Sequence, residues 1–518
     1  RILGGFFWCS EFIKVSKEEE MKRSKLLSAL LGFALLFLFA YVVYRSEKKF
    51  HETIKNKRTE SRWKTVLLAL FVIPLCVFGI RGRTGYNPIK VSAAYFCNDP
   101  FLNQLGVSPM FNLLTSTLDA NRKENKRLSL MDDSEAVMKI KEYFGVTGKD
   151  NSILRQVKGN SSVLSKPNIV IVMMESMSAR LMTEFGNPYN LTPFLDSLAH
   201  NSLFFNNFYS AGNHTNHGIT ATLYSLPAIM DRNAMKGSVI PKIDGLPTVL
   251  KSMGYATYFY MTHESQYDNM NAFFRTNGFD NIRSQEDYPS DKVVNHFGVS
   301  DDYLFEYSAD ELLSLSDSVP FFATILTISN HPPYVFPDDF KSRNEARDLA
   351  IVEYADQSVR KFFERYSQSS KFDNTLFVFV ADHGKIVGTP ECEIPLSSNQ
   401  IPLMIYYKGC EPRIINGLGC QCDIMPTIMG LLGCDYDYIG FGKDLLKEKR
   451  SEIVFSADNM LCALDSSCLY LYSPNSNDEH AYKMNGTTFA GKTVVDSVAK
   501  LKDFLFYTMQ SAEALKQN

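Results

Sequence analysis

The sequence predicts an α/β protein: a mixed, mostly parallel sheet covered by helices on both faces, preceded by N-terminal transmembrane helices. Two continuous apolar runs, Asn168-Ile-Val-Ile-Val-Met-Met-Glu175 and Thr375-Leu-Phe-Val-Phe-Val-Ala-Asp382, end abruptly in a carboxylate. Runs of that kind read as strands buried on both faces, as in a parallel sheet. Other strand-like runs alternate with helical patterns between and beyond them. Two long apolar stretches stand apart in the first hundred residues.

Leu26 to Tyr44 is nearly uninterrupted in its apolar character, and Thr65 to Ile80 is a second such stretch. The first is long enough to cross a bilayer as a helix, and the second is slightly short unless Trp63 and Gly82 are counted. The segment between them is strongly basic, with Arg45, Lys48, Lys49, Lys55, Lys57, Arg58, Arg62 and Lys64. The positive-inside rule places that loop in the cytoplasm, so everything after about Arg83 is expected outside it. Two spans, the first beginning well inside the chain, argue against a cleaved signal peptide. The chain opens on Arg1, and Gly4-Gly-Phe-Phe-Trp8 reads as the end of an upstream span. The expected layout is a membrane region over 1–83, a helical connector over 84–160 and a catalytic domain over 161–518.

Over 518 residues, 54 basic side chains face 57 acidic ones, and no long basic stripe follows residue 80. That balance excludes a nucleic-acid-binding reading. Seven of the ten cysteines lie between Cys392 and Cys468. In an exported domain some can pair, although spacing does not give the connectivity. Cys420-Gln-Cys422 is too short for the usual zinc-knuckle spacing.

In chain order, Ser134 to Phe144 has apolar residues at helical spacing, with Gly145 and Gly148 as stop signals. Pro193 to Ala199 reads as a helix and Ser202 to Tyr209 as a strand. Leu246 to Met253 and Tyr255 to Tyr260 form a helix followed by a strand. Phe321 to Thr327 and Ile401 to Tyr406 are further strands.

In open α/β sheets, ligands bind beyond the carboxyl ends of the strands, where Glu175 and Asp382-His383 would lie. Thr215 sits in the loop Ala211-Gly-Asn-His-Thr215-Asn-His-Gly218. A threonine hydroxyl is a poor nucleophile at neutral pH, and a bound divalent cation can activate and orient it. Glu175, Asp382 and His383 offer two carboxylates and an imidazole. With the Thr215 oxygen they make a four-ligand, oxygen-rich site suited to Mn²⁺ or Zn²⁺, with Mg²⁺ possible. The constellation points to an enzyme.

The order Glu175, Thr215, Asp382-His383 resembles the alkaline-phosphatase/sulfatase superfamily, and within it the lipoteichoic acid synthase (phosphoglycerol transferase) group. Leu326-Thr-Ile-Ser-Asn-His331-Pro-Pro-Tyr334, Ala381-Asp-His-Gly-Lys385, Glu393-Ile-Pro-Leu396 and Asn399-Gln-Ile-Pro-Leu403 extend the similarity over roughly 165–450. The resemblance implies an alkaline-phosphatase-like sheet in a multi-pass protein of the bacterial cytoplasmic membrane, with its catalytic domain on the extracytoplasmic or periplasmic side. It implies Thr215 as the nucleophile, Glu175, Thr215, Asp382 and His383 as ligands of Mn²⁺, and His331 and His263 as substrate contacts. The implied reaction takes a phospho-alcohol group, phosphoglycerol first, from a phospholipid donor through a phosphothreonine to a glycan or glycolipid acceptor.

One segment departs from the family pattern. Relatives follow the histidine equivalent to His263 with Gly-Gly and an aromatic-Asn-Arg element that grips glycerol phosphate. Here Glu264-Ser-Gln-Tyr-Asp-Asn-Met270 has no arginine, and Arg275 lies a few residues further on. A phosphoethanolamine transferase shares the same ligand logic, and a phosphodiesterase needs only water as the acceptor. A sulfatase is disfavoured, because neither Cys-x-Pro-x-Arg nor Ser-x-Pro-x-Arg occurs.

Overall fold

The computed structural model describes residues 41–515, apart from 43, 47, 50–61, 86, 121, 123–124, 148–151 and 238–239. The chain divides into two compact units, Arg1–Ile89 and Lys90–Asn518.

In the first unit, the helix Arg62–Arg81 covers the expected span 65–80. Its apolar side chains, among them Leu68, Phe71, Leu75 and Ile80, are exposed. Even so, no helix among the described residues is long and apolar enough to cross a membrane. The expected span 26–44 lies almost wholly outside the described residues.

In the second unit, eight strands form the central sheet. They are β1 (Asn168–Met174), β2 (Leu203–Phe205), β3 (Ala256–Met261), β4 (Asn281–Arg283), β5 (Phe321–Leu326), β6 (Thr375–Ala381), β7 (Leu403–Tyr406) and β8 (Arg413–Ile415), in the spatial order β8-β2-β7-β6-β1-β5-β3-β4. Strands β6, β1, β5, β3 and β4 run parallel. Strand β7 runs against both β6 and β2. The sheet is therefore mixed and mostly parallel, as expected. Every residue of Ile169–Met174 and Leu376–Ala381 is buried, which is why these strands carry no polar alternation.

One group of helices comprises Pro193–His200, Asp301–Ser314 and Arg347–Ser367, which pack on one another. Phe363 of the last meets Phe377 and Phe379 of β6 edge-on, at centroid separations of 5.4 and 6.0 Å. A second group comprises Thr215–Tyr224, Leu246–Ser252 and Ile424–Leu432. The stretch read as one strand, Ser202 to Tyr209, is two: β2 joins the central sheet, and Phe208–Tyr209 pairs with Gly419–Cys420. Asn206 and Asn207 make the break.

A second sheet of five antiparallel strands follows: β9 (Glu452–Ala457), β10 (Met460–Asp465), β11 (Cys468–Ser473), β12 (Asp478–Asn485) and β13 (Thr488–Lys492). The C-terminal helix Ala499–Leu515 packs on it and on the helix Asp133–Tyr143. From Lys90 onward, the stretch expected as a connector thus belongs to the same compact unit as the sheet. Asp132 caps that helix by accepting from the Ser134 and Glu135 N–H groups at 2.9 and 3.0 Å.

Candidate functional site

Four adjacent parallel strands end at the same level, and their next residues share one edge. The Asp382 N–H donates to the Met174 carbonyl (3.1 Å), and the Thr327 N–H donates to the Met173 carbonyl (3.0 Å). The ladder therefore continues one step past β6 and β5. Asp382-His383 follows β6, Glu175 follows β1, the loop to His331 follows β5, and His263 comes two residues after β3. The Thr327 hydroxyl also accepts the Glu175 N–H at 2.9 Å.

Thr215 is the first residue of the helix Thr215–Tyr224, where free backbone N–H groups and the helix dipole favour an anion. The sequence places it there through close approach. A Cβ on Gly218 would stand 2.2 Å from the Asp382 carbonyl oxygen, so only glycine lets the first turn rest on that backbone. The Gln421 amide donates to the Ala381 and Asp382 carbonyls (2.9 and 2.7 Å) and accepts the Ala211 N–H (2.8 Å). The strand end and the threonine loop are tied together by one side chain.

The Thr215 hydroxyl reaches Glu175 Oε2 at 3.5 Å. His383 Nε2 lies 4.0 Å from Glu175 Oε1 and 3.6 Å from Asp382 Oδ2. Glu175, Asp382 and His383 present ligand atoms all within 4.8 Å of one another. Asp382 Oδ1 accepts the Ser176 and His383 N–H groups (2.9 and 2.7 Å), whereas its buried Oδ2 has no hydrogen-bond partner among the described residues. A buried carboxylate oxygen left unpaired costs several kcal/mol, on the order of 1–3 or more, unless a cation meets it. Burial, and then the Asp382 carboxylate beside it, push the Glu175 carboxyl well above its ordinary range. Two adjacent buried carboxylates, an imidazole and a hydroxyl fit a divalent cation in charge and donor type.

The histidines share a local device. His383, His263 and His331 each donate Nδ1–H to the carbonyl of the next or an adjoining residue: Gly384 (2.8 Å), Glu264 (3.1 Å) and Pro332 (2.6 Å). That bond fixes the tautomer and leaves Nε2 for the cavity. Burial holds the His263 imidazole below its usual pKa, so it is neutral at pH 7.

The cavity over this edge has a volume of about 310 Å³, and Glu175, Thr215, His263, His331 and His383 all line it. Asp382 lies just beneath, fully buried. All six residues singled out in the sequence come together. Tyr267 and Asp268 also line the cavity, and neither stood out in the sequence. The Tyr267 ring lies 4.6 Å from that of His263, and burial, with Asp268 adding, pushes its hydroxyl to about 12. Asp268 accepts from Lys236 (2.7 Å) and Asn233 (2.9 Å). Arg275 is turned elsewhere, donating to Asn271 (2.9 Å) and Asn98 (2.8 Å). No lysine or arginine is among the described residues lining the cavity. Lys385 acts from behind: it donates to Asn330 Oδ1 (2.7 Å), whose amide donates to the Ser176 carbonyl (3.0 Å). Burial lowers the Lys385 ammonium to about 8.

A carboxylate-rich strand edge facing a hydroxyl at a helix N-terminus defines an α/β enzyme of the alkaline-phosphatase type. A protein in the alkaline phosphatase superfamily from Vibrio parahaemolyticus has a similar structure, with a TM-score of 0.68 and 26% identity over 75% of this chain and 97% of that one. The sulfatase family profile matches residues 167–434, more than half of the chain, and the chain belongs to that family. Within it, the chain is similar to lipoteichoic acid synthases. A lipoteichoic acid synthase-like protein of Bacillus subtilis is 26% identical over 380 residues, covering 66% of this chain and 58% of the relative's length. The lipoteichoic acid synthase LtaP from Listeria monocytogenes shares the fold, with a TM-score of 0.61 at 22% identity over 74% of this chain and 98% of that one.

Proposed function

We propose that this chain is a membrane-anchored, metal-dependent phosphotransferase that moves a phospho-alcohol headgroup from a phospholipid to a glycan or glycolipid, phosphoglycerol being the first candidate. The observation that carries the reading is the convergence of Glu175, Asp382, His383 and the Thr215 hydroxyl, with Asp382 Oδ2 unpartnered beneath the cavity. Glu175, Asp382 and His383 would hold a divalent cation, Mn²⁺ favoured, together with the Thr215 oxygen. When bound, such a cation lowers the pKa of a hydroxyl and offsets phosphoryl charge. The anchor is read from the apolar stretches 26–44 and 65–80 and the basic loop between them. The catalytic side would then face outward.

The reaction runs by two displacements. Thr215 Oγ attacks the donor phosphorus, the phosphorus bond to the diacylglycerol oxygen breaks, and His331 carries the threonine proton to that oxygen. An acceptor hydroxyl then attacks the phosphothreonine. The neutral His263 takes its proton and returns it to Thr215 Oγ as the phosphorus bond to that oxygen breaks. The N–H groups at the start of the helix Thr215–Tyr224 face the phosphoryl oxygens throughout.

A second reading, phosphoethanolamine transfer, is favoured by one observation. Tyr267 and Asp268 line the cavity while Arg275 points away from it. An aromatic face beside a carboxylate suits an ammonium better than a diol.

The test is to incubate the full chain with Mn²⁺ and vesicles containing both phosphatidylglycerol and phosphatidylethanolamine. Metal-dependent release of diacylglycerol is expected, with only one headgroup consumed. Equal release in the presence of a chelator would reject the metal-dependent mechanism.

A further inference from the structure

The helix Pro109–Ala120 is built inside out. Met110, Leu113, Leu114 and Leu118 recur at the i, i+3, i+4, i+8 spacing of a single face, and they are 76, 64, 60 and 59% exposed. The opposite face is half-buried and, apart from Phe111, polar: Asn112, Thr115, Ser116 and Asp119. A helix on the surface of a water-bathed domain shows the reverse arrangement. Upstream, Phe101 and Leu105 are also exposed, at 71 and 68%. From Pro100 to Leu118 the sequence holds no charged residue; Asp119, Arg122, Lys123, Glu124, Lys126 and Arg127 follow, four basic against two acidic.

We propose that Pro109–Ala120 is an interfacial helix that lies flat on the bilayer, with this apolar stripe in the acyl boundary and the net-positive stretch after it at anionic phospholipid headgroups. At 12 residues the helix is about 18 Å long, too short to cross a hydrocarbon core of about 30 Å. Its hydroxyls are already satisfied within the helix. Thr115 donates to the Phe111 carbonyl (2.9 Å), Ser116 to Leu113 (3.0 Å) and Thr117 to Leu113 (2.7 Å). That arrangement suits a surrounding that offers no water. The stretch 119–127 keeps a net positive charge, although Arg122 pairs with Asp119 (3.3 Å) and Arg127 with Asp133, and that net charge supplies the complementarity such helices use. Only Gly82 to Ile89 lie in the chain between the apolar helix Arg62–Arg81 and the start of the body, and this part of the argument rests on the anchoring reading above.

Docking there would act on the cavity through a short path. The Lys90 N–H donates to Gln266 Oε1 (3.3 Å), and the Asn271 amide donates to the Tyr95 carbonyl (2.7 Å). Gln266 precedes Tyr267, which lines the cavity. The segment 90–95, which leads along the chain into Pro109–Ala120, is thus held to the wall of the cavity.

The test uses the full chain reconstituted in vesicles of phosphatidylglycerol and phosphatidylethanolamine that carry a photoactivatable acyl chain. Adducts are mapped by peptide mass spectrometry. Adducts on 109–118 as well as 62–81 are expected. Adducts on 62–81 alone overturn the interfacial helix and leave the anchor standing; adducts on 109–118 alone support the helix and reject that anchor. Adducts on neither segment reject both, and chemical cross-links joining two copies at 109–118 assign the stripe to self-association instead. A second arm replaces the exposed side chains (M110S, L113S, L114S, L118S). Transfer from vesicle lipid is expected to fall at least tenfold, while hydrolysis of a soluble short-chain phosphodiester stays unchanged. Unchanged transfer from vesicles overturns the proposal.

Discussion

Thr215 and Asp382 make the sharpest claims at the scale of single residues. Thr215→Ala removes the proposed nucleophile but leaves Glu175, Asp382 and His383 in place. Turnover should fall by at least about a thousandfold, while Mn²⁺ still raises the melting temperature. Asp382→Asn leaves one carboxylate where two faced each other, so both turnover and the Mn²⁺-induced rise in melting temperature should vanish. For the unsubstituted protein, Mn²⁺ at a hundred times its dissociation constant should add about 2.7 kcal/mol of stability, reversed by a chelator. Glu175, Thr215 and Asp382-His383 were legible because each directly follows an apolar run or sits between loop glycines. His263 and His331 became legible only through a family resemblance. Tyr267 and Asp268 lay in the segment seen to depart from the family pattern, but neither was given a role. Asp268 and Asn269 both have positive φ (48° and 65°), and such a loop has no periodicity to expose its facing residues.

At the scale of elements, the helix start and the loop after β5 can be tested separately. Gly218→Ala drives a Cβ into the Asp382 carbonyl, so the first turn must move away. A loss of about 1–3 kcal/mol in stability is expected from denaturant unfolding, with turnover falling alongside it. Asp301 holds the His331 loop by accepting the Ile328 and Ser329 N–H groups at 2.8 and 3.2 Å. Burial raises this carboxyl to about 6, against the pull of those N–H groups. Because the folded-state pKa is raised, the stability this group contributes is full below its unfolded value near 3.8 and is lost as the pH rises through about 6. The change amounts to roughly 3 kcal/mol at most. Asp301→Asn keeps an acceptor for the loop but removes the proton. Denaturant midpoints between pH 4 and 7 should flatten relative to the parent, and an unchanged slope would show that Asp301 is not the source. The direction of β7 was not legible, since composition does not distinguish a parallel from an antiparallel neighbour. The break at Asn206-Asn207 was hidden by the apolar residues on either side.

At the scale of the whole molecule, the second sheet supports the site as well as the fold. The Ser456 N–H donates to the Ala211 carbonyl (2.8 Å), and the Ser456 hydroxyl donates to Ala228 (2.7 Å). Asp458, in the turn from β9 to β10, takes His214 Nε2 (2.6 Å) and the Asn213 amide (3.1 Å) on its Oδ1, beside Thr215. Asp458 is well exposed, so Asp458→Ala should change kcat/KM by less than about tenfold and leave the melting temperature nearly unaltered. None of β9 to β13 was anticipated from the sequence. Antiparallel hairpins of five to eight residues with tight turns give a weaker signal than the buried parallel runs that mark the site. The sulfatase match stops at residue 434, before this sheet begins.

The account centres on a covalent phosphothreonine. The most direct measurement is a rapid-quench digest of the full chain, taken during turnover with Mn²⁺ and phospholipid vesicles and mapped by peptide mass spectrometry. A headgroup-phosphate adduct on the peptide containing Thr215, at a mass that names the headgroup, is the predicted result. Lipid turnover with that peptide unmodified and an adduct mapped to a different residue would contradict the account.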